Sequence, residues 1–177
     1  MQNHTLPNGQ TLLIREALPE DAAAVLQYVH AVSGETDFLG FGAGEFQLTE
    51  AEEANVLQGY HNADNQLYLV GLIEGAIVAV ITFAAGRRAR TRHCGEFGMS
   101  VRSQYWGLGI GGAMLDELIA WARDSQVVSK INLRVRSDNQ RAIRLYTRKG
   151  FVQEGTIRND VKLNGIYYHS DIMGLIV

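Results

Sequence analysis

The sequence contains few of the residues that build disulfides, metal sites and domain linkers. Among 177 residues there are one cysteine, Cys94, and two prolines. A single cysteine excludes an intramolecular disulfide, and no two histidines stand at the helical spacing of metal ligands, so we predict no metal. Because no proline-rich linker, repeat or low-complexity tract divides the chain, we expect one domain over residues 1–177.

Charge and hydropathy exclude two further classes of protein. The 16 Lys and Arg residues stand against 19 Asp and Glu residues, which gives a net charge of −3, whereas a general nucleic-acid binder carries a basic face. No apolar run approaches the ~18 residues of a membrane span, and no charged segment followed by an apolar core opens the chain. From the charge and from these absences we expect a cytoplasmic protein with no nucleic acid and no membrane among its partners.

What the sequence does contain is a glycine-rich turn between a strand pattern and a helix pattern, within residues 95–125. Its glycines are Gly107, Gly109, Gly111 and Gly112. Glycine permits positive φ angles and the close approach of a ligand to the backbone. The first amides of the next helix lack intrahelical partners and carry the positive end of its dipole, so the turn predicts a phosphate or pyrophosphate site. The apolar residues of this helix recur at steps of three and four: Ile110, Met114, Leu115, Leu118, Ile119 and Ala122.

Two widespread phosphate-binding motifs fit this turn poorly. A nucleotide-hydrolase loop needs Lys and then Ser or Thr after its last glycine, but Ala113 and Met114 follow Gly112. The dinucleotide pattern G-x-G-x-x-G is met by Gly107, Gly109 and Gly112, yet the next predicted strand lacks the acidic residue that this pattern places about 20 positions later. A dinucleotide-dependent oxidoreductase is therefore only a third alternative.

The turn instead resembles the coenzyme-A loop of the GNAT superfamily of N-acetyltransferases, whose pattern is Arg/Gln-x-x-Gly-x-Gly/Ala. The matching residues are Trp106, Gly109 and Gly111, so tryptophan replaces the first polar residue, as in bacterial members with a YWG opening. A second segment, residues 139–151, is similar to the family's N-x-x-A-x-x-L-Y-x-x-x-G-F motif. The two motifs in this order, with one strand pattern between them, are more specific than either alone.

The resemblance implies a mixed α/β fold, the GNAT acyl-CoA N-acyltransferase fold. Its central twisted sheet is mostly antiparallel, is flanked by helices, and splays between the fourth and fifth predicted strands, which end at Val101 and Arg136. In the resulting wedge the pantetheine arm is expected to pair with the backbone of Met99 to Val101. Sequence patterns predict strands at 11–16, 66–73, 76–84, 95–101 and 131–136, helices at 19–32, 49–60 and in both motifs, and hairpin turns at Glu74-Gly75 and Asn164-Gly165.

The resemblance also implies acetyl-CoA as the cofactor and indicates which residues contact it. A Lys-like amine with a pKa near 10.4 must lose a proton before it attacks, and the leaving thiolate, with a thiol pKa of about 8.5, departs faster if an acid protonates it. Tyr146 matches the family's acid. Glu96, on the strand that leads into the site, is the expected base, and an exposed Glu in an ion pair is the alternative. The expected coenzyme contacts are Met99, Ser100, Val101, Trp106, Gly107, Leu108, Gly109, Ile110, Gly111, Gly112, Asn139, Ala142 and Tyr146.

A different segment is expected to contact the acceptor. Residues 34–41 occupy the position of the family's acceptor wall, where Glu35 and Asp37 are expected to hold a cationic amine and Phe38 to form an apolar side. Tyr168, on the final hairpin, is expected to close the same pocket. The alternatives are a mobile loop and a tyrosine that only packs on the sheet.

Two other groups of reactive or charged residues precede the strand of Glu96. Cys94 follows His93, but neighbouring strand residues point to opposite faces, so covalent catalysis by the thiol is the minority interpretation. A solvated loop is favoured over recognition of phosphates or an acidic acceptor for a run of four arginines: Arg87, Arg88, Arg90 and Arg92.

Together these patterns predict an acetyl-CoA-dependent N-acetyltransferase that acts by direct transfer to a primary amine. The acceptor stays open among small amines, amino acids, antibiotics and protein amines. The alternative from a different class is a non-catalytic acyl-CoA-binding sensor or interaction module, and the presence of Tyr146 and Glu96 favours an enzyme over it. Homodimers are common in the family, so a homodimer is a further open partner.

Overall fold

The computed structural model describes residues 2–177, which form one twisted sheet with helices on both faces. The strands are β1 (Gln2–Thr5), β2 (Thr11–Glu16), β3 (Gln66–Ile73), β4 (Ala76–Ala85), β5 (Cys94–Val101), β6 (Lys130–Arg136), β7 (Val152–Leu163) and β8 (Ile166–Ile176). The helices are α1 (Ala22–Ser33), α2 (Glu50–His61), α3 (Ile110–Asp124) and α4 (Gln140–Arg148). In space the strands follow the order β1-β2-β3-β4-β5-β6-β8-β7. Only β5 and β6 are parallel within this range, so the predicted mixed, mostly antiparallel fold is confirmed.

The sequence pattern did not predict β1. This strand is short, polar and at the sheet edge, and it pairs with β2 from Gln2 opposite Ile14 to Thr5 opposite Thr11. Its sequence has no apolar alternation, which is why periodicity missed it. Gly9, with φ of 84°, supplies the tight turn between the two strands. With β1 counted, the predicted fourth and fifth strands are β5 and β6.

The two predicted hairpin turns are present. Glu74 and Gly75 both take positive φ, at 52° and 81°, and Asn164 and Gly165 do the same at 50° and 81°. Two consecutive residues with positive φ give the turn whose twist matches that of the flanking antiparallel strands. These turns fix the β3–β4 and β7–β8 pairings, which the register of both hairpins confirms.

The first two helices begin with different local chemistry. The predicted helix at 19–32 starts as a short 3₁₀ turn, Pro19–Asp21, and becomes α1 only at Ala22. By contrast, α2 begins with a reciprocal cap, in which the Glu52 amide donates to Thr49 Oγ1 at 3.3 Å and the Thr49 amide donates to Glu52 Oε2 at 2.8 Å. This cap provides hydrogen-bond acceptors for two amides at the start of α2.

The sheet separates two hydrophobic cores. Helices α3 and α4 pack on one face and α1 and α2 on the other. Along β5, Phe97, Met99 and Val101 belong to the α3/α4 core. Alternation along the strand sends Glu96, Gly98 and Ser100 to the opposite face, and the hydrogen bond from Ser100 to Tyr28 of α1 agrees. The face of Glu96, which the sequence left open, is therefore the α1/α2 face.

Strands β5 and β6 separate after a short parallel contact. They pair only from Cys94 opposite Lys130 to Glu96 opposite Asn132 within the part of the chain that the structure describes. Beyond this point β5 continues to Val101, paired with β4 on one side only. The predicted splay is therefore present.

Two further features bear on function. Over residues 2–177, no helix combines the length and the apolar character needed to cross a membrane. Over the same residues, no group of three or more His, Cys, Asp or Glu side chains is placed to hold a metal ion.

Candidate active site

The glycine-rich turn between β5 and α3 is open to a ligand. Gly107 and Gly109 take φ of 88° and 85°, a conformation that residues with a side chain rarely adopt. A Cβ built at either position would meet no atom within 4 Å. The glycines therefore satisfy the backbone conformation and keep the space outside the turn free.

The start of α3 presents unbonded amides to that space. The amides of Gly112 and Ala113 donate to the carbonyl of Gly109, whereas those of Ile110 and Gly111 have no hydrogen-bond partner among residues 2–177. Free amides at the positive end of a helix dipole favour an anion. This geometry fits the pyrophosphate of coenzyme A.

Gly111 and Gly112 have a second role in packing. A Cβ at Gly111 would lie 3.3 Å from Leu145 Cδ2 and 3.4 Å from Met99 Cε, and one at Gly112 would lie 3.7 Å from Lys149 Cε. The missing side chains thus let α3 approach α4 and β5 closely. The loop and the second motif are consequently held together.

Trp106 links the glycine-rich turn to the end of β5. Its indole Nε1 donates to the carbonyl oxygen of Val101 at 2.7 Å, and the guanidinium of Arg141 lies over its ring, 4.8 Å from the centroid. The tryptophan that replaces the family's polar residue is therefore bonded to the end of β5. It also places the positive charge of Arg141 beside the anion site.

The unpaired edge of β5 offers backbone groups to the wedge. The amide of Arg102 donates to the carbonyl of Val78, on the β4 side. Because alternate residues of an antiparallel strand bond to the same neighbour, Ser100 and Gly98 also face β4, and Val101 and Met99 direct their backbone groups into the wedge. Those groups fit the amides of a pantetheine arm.

Tyr146 lies on the α3/α4 side of the wedge. Its ring is 8% exposed and packs edge-on against Phe97 and Phe151, with centroids 5.6 Å and 6.1 Å away. Burial raises the pKa of Tyr146 to about 12, so the hydroxyl keeps its proton at neutral pH. Tyr146 lies on α4, which is capped at its N-terminus by Asn139; the Asn139 side chain accepts a hydrogen bond from the Ala142 amide at 3.2 Å.

One large cavity, of about 1080 Å³, joins the two faces of the sheet through this wedge. Its lining includes the glycine loop, the edge of β5 and Tyr146, and also Glu96 and residues of α1 and α2. On the α1/α2 side, Tyr28 Oη lies 2.8 Å from Ser100 Oγ. The cavity therefore brings the expected acid and the expected base to opposite sides of one opening.

Of the four residues expected to contact the acceptor, one lines the cavity. Phe38 lines the cavity, but Glu35, Asp37 and Tyr168 are not among its lining residues. The carboxylate of Glu35 instead accepts from Arg102 and from the Ser103 amide, both at 2.6 Å. Partial burial by itself raises the pKa of Glu35, but the hydrogen bonds from Ser103 and Arg102 outweigh it, so the pKa is lowered. Its contacts in the structure are with the chain that follows β5.

Arg136 connects the other expected acceptor residues. Its guanidinium lies 4.7 Å from the Phe38 ring centroid and 3.9 Å from that of Tyr168, and it donates to the Asp37 carbonyl at 2.9 Å. Asp138 pairs with the same guanidinium at 2.6 Å. Asp37 and Tyr168 thus lie around Arg136, which fastens the wall formed by Phe38 to the sheet.

The remaining candidates lie away from the cavity. Cys94 accepts from Asn132 Nδ2 at 3.0 Å, and neither it nor His93 lines the cavity. The arginine run is exposed and also absent from the cavity wall, and Arg92 pairs with Asp64 at 2.5 Å. These placements favour the solvated-loop interpretation.

Sequence reasoning missed many of the residues that line the cavity, among them Tyr28, Glu53 and Arg141. A signal for Glu53 was present, because it stands four residues before Leu57 and seven before Tyr60, in phase with the buried stripe of α2. Tyr28 carried no comparable signal, since a tyrosine on an apolar helix face is ordinary core.

An anion-binding loop, a splayed strand edge and a cavity that joins them define an acyl-CoA-dependent acyltransferase. Comparison with known proteins gives the family. The family model described as "Acetyltransferase (GNAT) family" matches residues 33–151. The L-amino acid N-acetyltransferase AaaT of Escherichia coli strain K12 is 32% identical over 108 residues, which are 61% of this chain and 67% of that protein.

Solved structures of GNAT acetyltransferases are also similar to this chain. The acetyltransferase of GNAT family from Streptococcus pneumoniae matches with a TM-score of 0.92 and 34% identity, over 94% of this chain and 99% of that one. A GNAT superfamily phosphinothricin acetyltransferase from Sinorhizobium meliloti, solved with acetyl-CoA, shares the fold with a TM-score of 0.80 and 20% identity, over 94% of this chain and 88% of that one. The chain belongs to the GNAT acetyltransferase family and is an acetyl-CoA-dependent acyltransferase.

Proposed function

We propose that this protein transfers the acetyl group of acetyl-CoA directly to a primary amine of a small-molecule acceptor. The observation that supports this most is the single cavity in which Tyr146 and Glu96 approach the open edge of β5 from opposite faces. Pockets for drug-sized ligands measure roughly 300–1,000 Å³. The cavity therefore has room for a pantetheine arm together with a small acceptor.

The amine must lose a proton before it attacks. Glu96 lies on the acceptor side of β5 and is exposed to the cavity, so it is placed to take a proton from an incoming ammonium, directly or through a water. The free amine then forms the nitrogen–carbon bond as the carbon–sulfur bond breaks. Backbone amides of Val101 and Met99, directed into the wedge, are placed to donate to the carbonyl oxygen as it becomes negative.

The second proton ends on the coenzyme thiol. Because the pKa of Tyr146 is raised to about 12, above the ordinary thiol value of about 8.5, full proton transfer from tyrosine to thiolate is uphill. We expect the hydroxyl to donate a hydrogen bond to the leaving sulfur. The proton lost from the newly acylated nitrogen then completes the thiol.

The coenzyme contacts proposed from the sequence fit this reaction. The glycine loop receives the phosphates, Arg141 adds positive charge beside them, and Met99 to Val101 pair with the pantetheine amides. We place the reaction in the cytoplasm, the location that the sequence predicts. The relative from Escherichia coli is named for L-amino acids, which supports a small acceptor.

The experiment is thiol release from acetyl-CoA with pooled amines, amino acids, polyamines and aminoglycosides, together with calorimetry of coenzyme binding on the same sample. Amine-dependent release supports the proposal and lets the pools be divided until an acceptor is found. Coenzyme binding without release in any pool contradicts a small-molecule acceptor. That result favours a protein acceptor or a non-catalytic acyl-CoA-binding module.

A further inference from the structure

Glu53 is a buried carboxylate that faces the cavity without a partner. Its side chain is 2% exposed, and it lines the cavity on the α1/α2 side. No side chain or backbone group among residues 2–177 donates a hydrogen bond to it or forms an ion pair with it. The neighbouring Glu52 is consumed by the helix cap at Thr49, so the two adjacent glutamates have different environments.

Helix α2, which carries Glu53, packs on the sheet at β3. Tyr68 on β3 stands opposite Thr82 on β4, and Thr82 stands opposite Gly98 on β5. The sheet surface beside Gly98 is unoccupied, because a Cβ at Gly98 would meet only Thr82 Oγ1 at 3.7 Å. Since strands lie ~4.8 Å apart, a group over β3 or β4 is one to two strand spacings from the open edge of β5.

Two tyrosines lie close enough to Glu53 to feel its charge. Tyr60 and Tyr68 pack edge to face with centroids 5.4 Å apart, and the negative charge of Glu53 raises the pKa of both, after the larger effect of their burial. Tyr28, on α1, also lines the cavity. Tyrosine faces attract cations. A carboxylate with aromatic walls therefore forms an environment suited to an ammonium group.

The cationic side chains of the cavity are held elsewhere. Arg134 pairs with Asp160 at 3.4 Å, Arg136 pairs with Asp138, and Arg141 lies over Trp106. Arg148 also lines the cavity, but on α4, across the sheet from α2. Among residues 2–177 no cation therefore neutralises Glu53, and its desolvation raises its pKa. A buried carboxylate is costly to leave charged and unpaired, so a ligand cation in the cavity would stabilise its charged form.

We propose that Glu53, with Tyr28, Tyr60 and Tyr68, forms a subsite for a cationic group of the acceptor that is not the group acetylated. This inference rests on the proposed function and specifies its substrate class. Pairing with a carboxylate keeps an amine protonated and unable to attack, so the reacting amine is a different one, near β5 and Glu96. The acceptor is an aliphatic diamine whose two nitrogens lie ~5–10 Å apart, one to two strand spacings.

The test compares 1,5-diaminopentane with 1-aminopentane, which differ only in the second amine. The wild-type kcat/KM should favour the diamine by about 30-fold or more, the usual effect of removing one partner of a buried charge pair. Glu53→Gln should reduce that preference to within about threefold. Glu52→Gln, on the same helix but exposed, should retain it. Acetyl-CoA affinity of Glu53→Gln, measured by calorimetry, should stay within about twofold.

A binding measurement separates this inference from the proposed reaction. With acetyl-CoA replaced by coenzyme A, the diamine should raise the Tm of the wild type and of Glu52→Gln but not that of Glu53→Gln. If this shift occurs without thiol release, the cation subsite stands and the transferase proposal fails. If the monoamine is acetylated as well as the diamine, or if Glu53→Gln retains the diamine shift, the subsite is refuted and the transferase proposal is unaffected.

Discussion

The indole nitrogen of Trp106 donates a 2.7 Å hydrogen bond to the carbonyl oxygen of Val101. This bond joins the coenzyme loop to the end of the strand whose edge opens into the wedge. It occupies the Val101 carbonyl and leaves the Val101 amide as the free backbone donor there. The tryptophan therefore contributes to the site by holding the loop against the strand, where a polar residue of the family pattern would stand.

Replacing Trp106 by phenylalanine removes this bond and keeps an aromatic ring for Arg141. One hydrogen bond contributes about 1 kcal/mol, so coenzyme A affinity should fall about fivefold in calorimetry. Tyr167→Phe, at an exposed aromatic on the final hairpin, is the control and should bind normally. Equal affinity in the Trp106 and Tyr167 variants would show that the bond does not support the loop.

Gly109→Val should weaken coenzyme binding by at least about tenfold. Positive φ costs a residue with a side chain about 1–2 kcal/mol, and the added side chain would fill the space where the ligand approaches. Gly59→Ala is the matched control, because Gly59 lies within α2, takes no positive φ and has open space around it. That change should leave coenzyme affinity unaltered and raise Tm, since alanine favours a helix by about 1 kcal/mol.

Tyr146→Phe should lower kcat by about 10²-fold or more, the usual effect of removing one positioned hydrogen-bond donor to a developing negative charge, with coenzyme affinity nearly unchanged. The ring contacts with Phe97 and Phe151 persist in the variant, so the fold should be retained. The measurement is thiol release with the acceptor found in the amine pools. Unaltered turnover with a normal Tm would remove Tyr146 from the reaction.

Stability below pH 5 should depend on Asp21. The hydrogen bond from Arg15 lowers the pKa of Asp21. The ionised Asp21 carboxylate therefore contributes its full stabilisation above the ordinary carboxyl pKa of about 3.9. That stabilisation is lost as the pH falls through the lower pKa of the folded protein. Asp21→Asn should therefore cost about 2 kcal/mol at pH 7 and almost nothing near pH 2. Urea unfolding across this range measures the difference, with the exposed Asp124→Asn as a control. A pH-independent cost would contradict the linkage.

Glu53→Gln should raise the stability of the protein at high pH, whereas Asp21→Asn should lower it. Burial raises the pKa of Glu53, so the folded protein favours the protonated form, and it loses stability as pH rises above the ordinary carboxyl value through the raised one. Glutamine removes that penalty. The variant should melt at a higher temperature than the wild type at pH 8 and at nearly the same temperature at pH 4. A lower Tm at pH 8 would mean that the carboxylate has a stabilising partner.

Local chemistry explains which parts of the site were predictable. The glycine-rich turn with positive φ at Gly107 and Gly109 and the Asn164-Gly165 turn both depend on residues within a few positions of one another, and both turns were predicted from the sequence. The β1 strand was missed because its polar residues show no periodicity. Its pairing is decided by the turn at Gly9 and the edge of β2.

The sequence by itself determined the family, the acetyl donor and the order of the main elements, because these follow from short motifs and hydrophobic periodicity. Only the tertiary structure decided which face of β5 carries Glu96 and where the carboxylates lie. Glu35 pairs with Arg102, 67 positions away, whereas Glu53 is buried beside the cavity and has no pair among the residues that the structure describes. Both are glutamates near one loop, and their environments differ because packing of α2 on the sheet brings together residues that the chain keeps far apart.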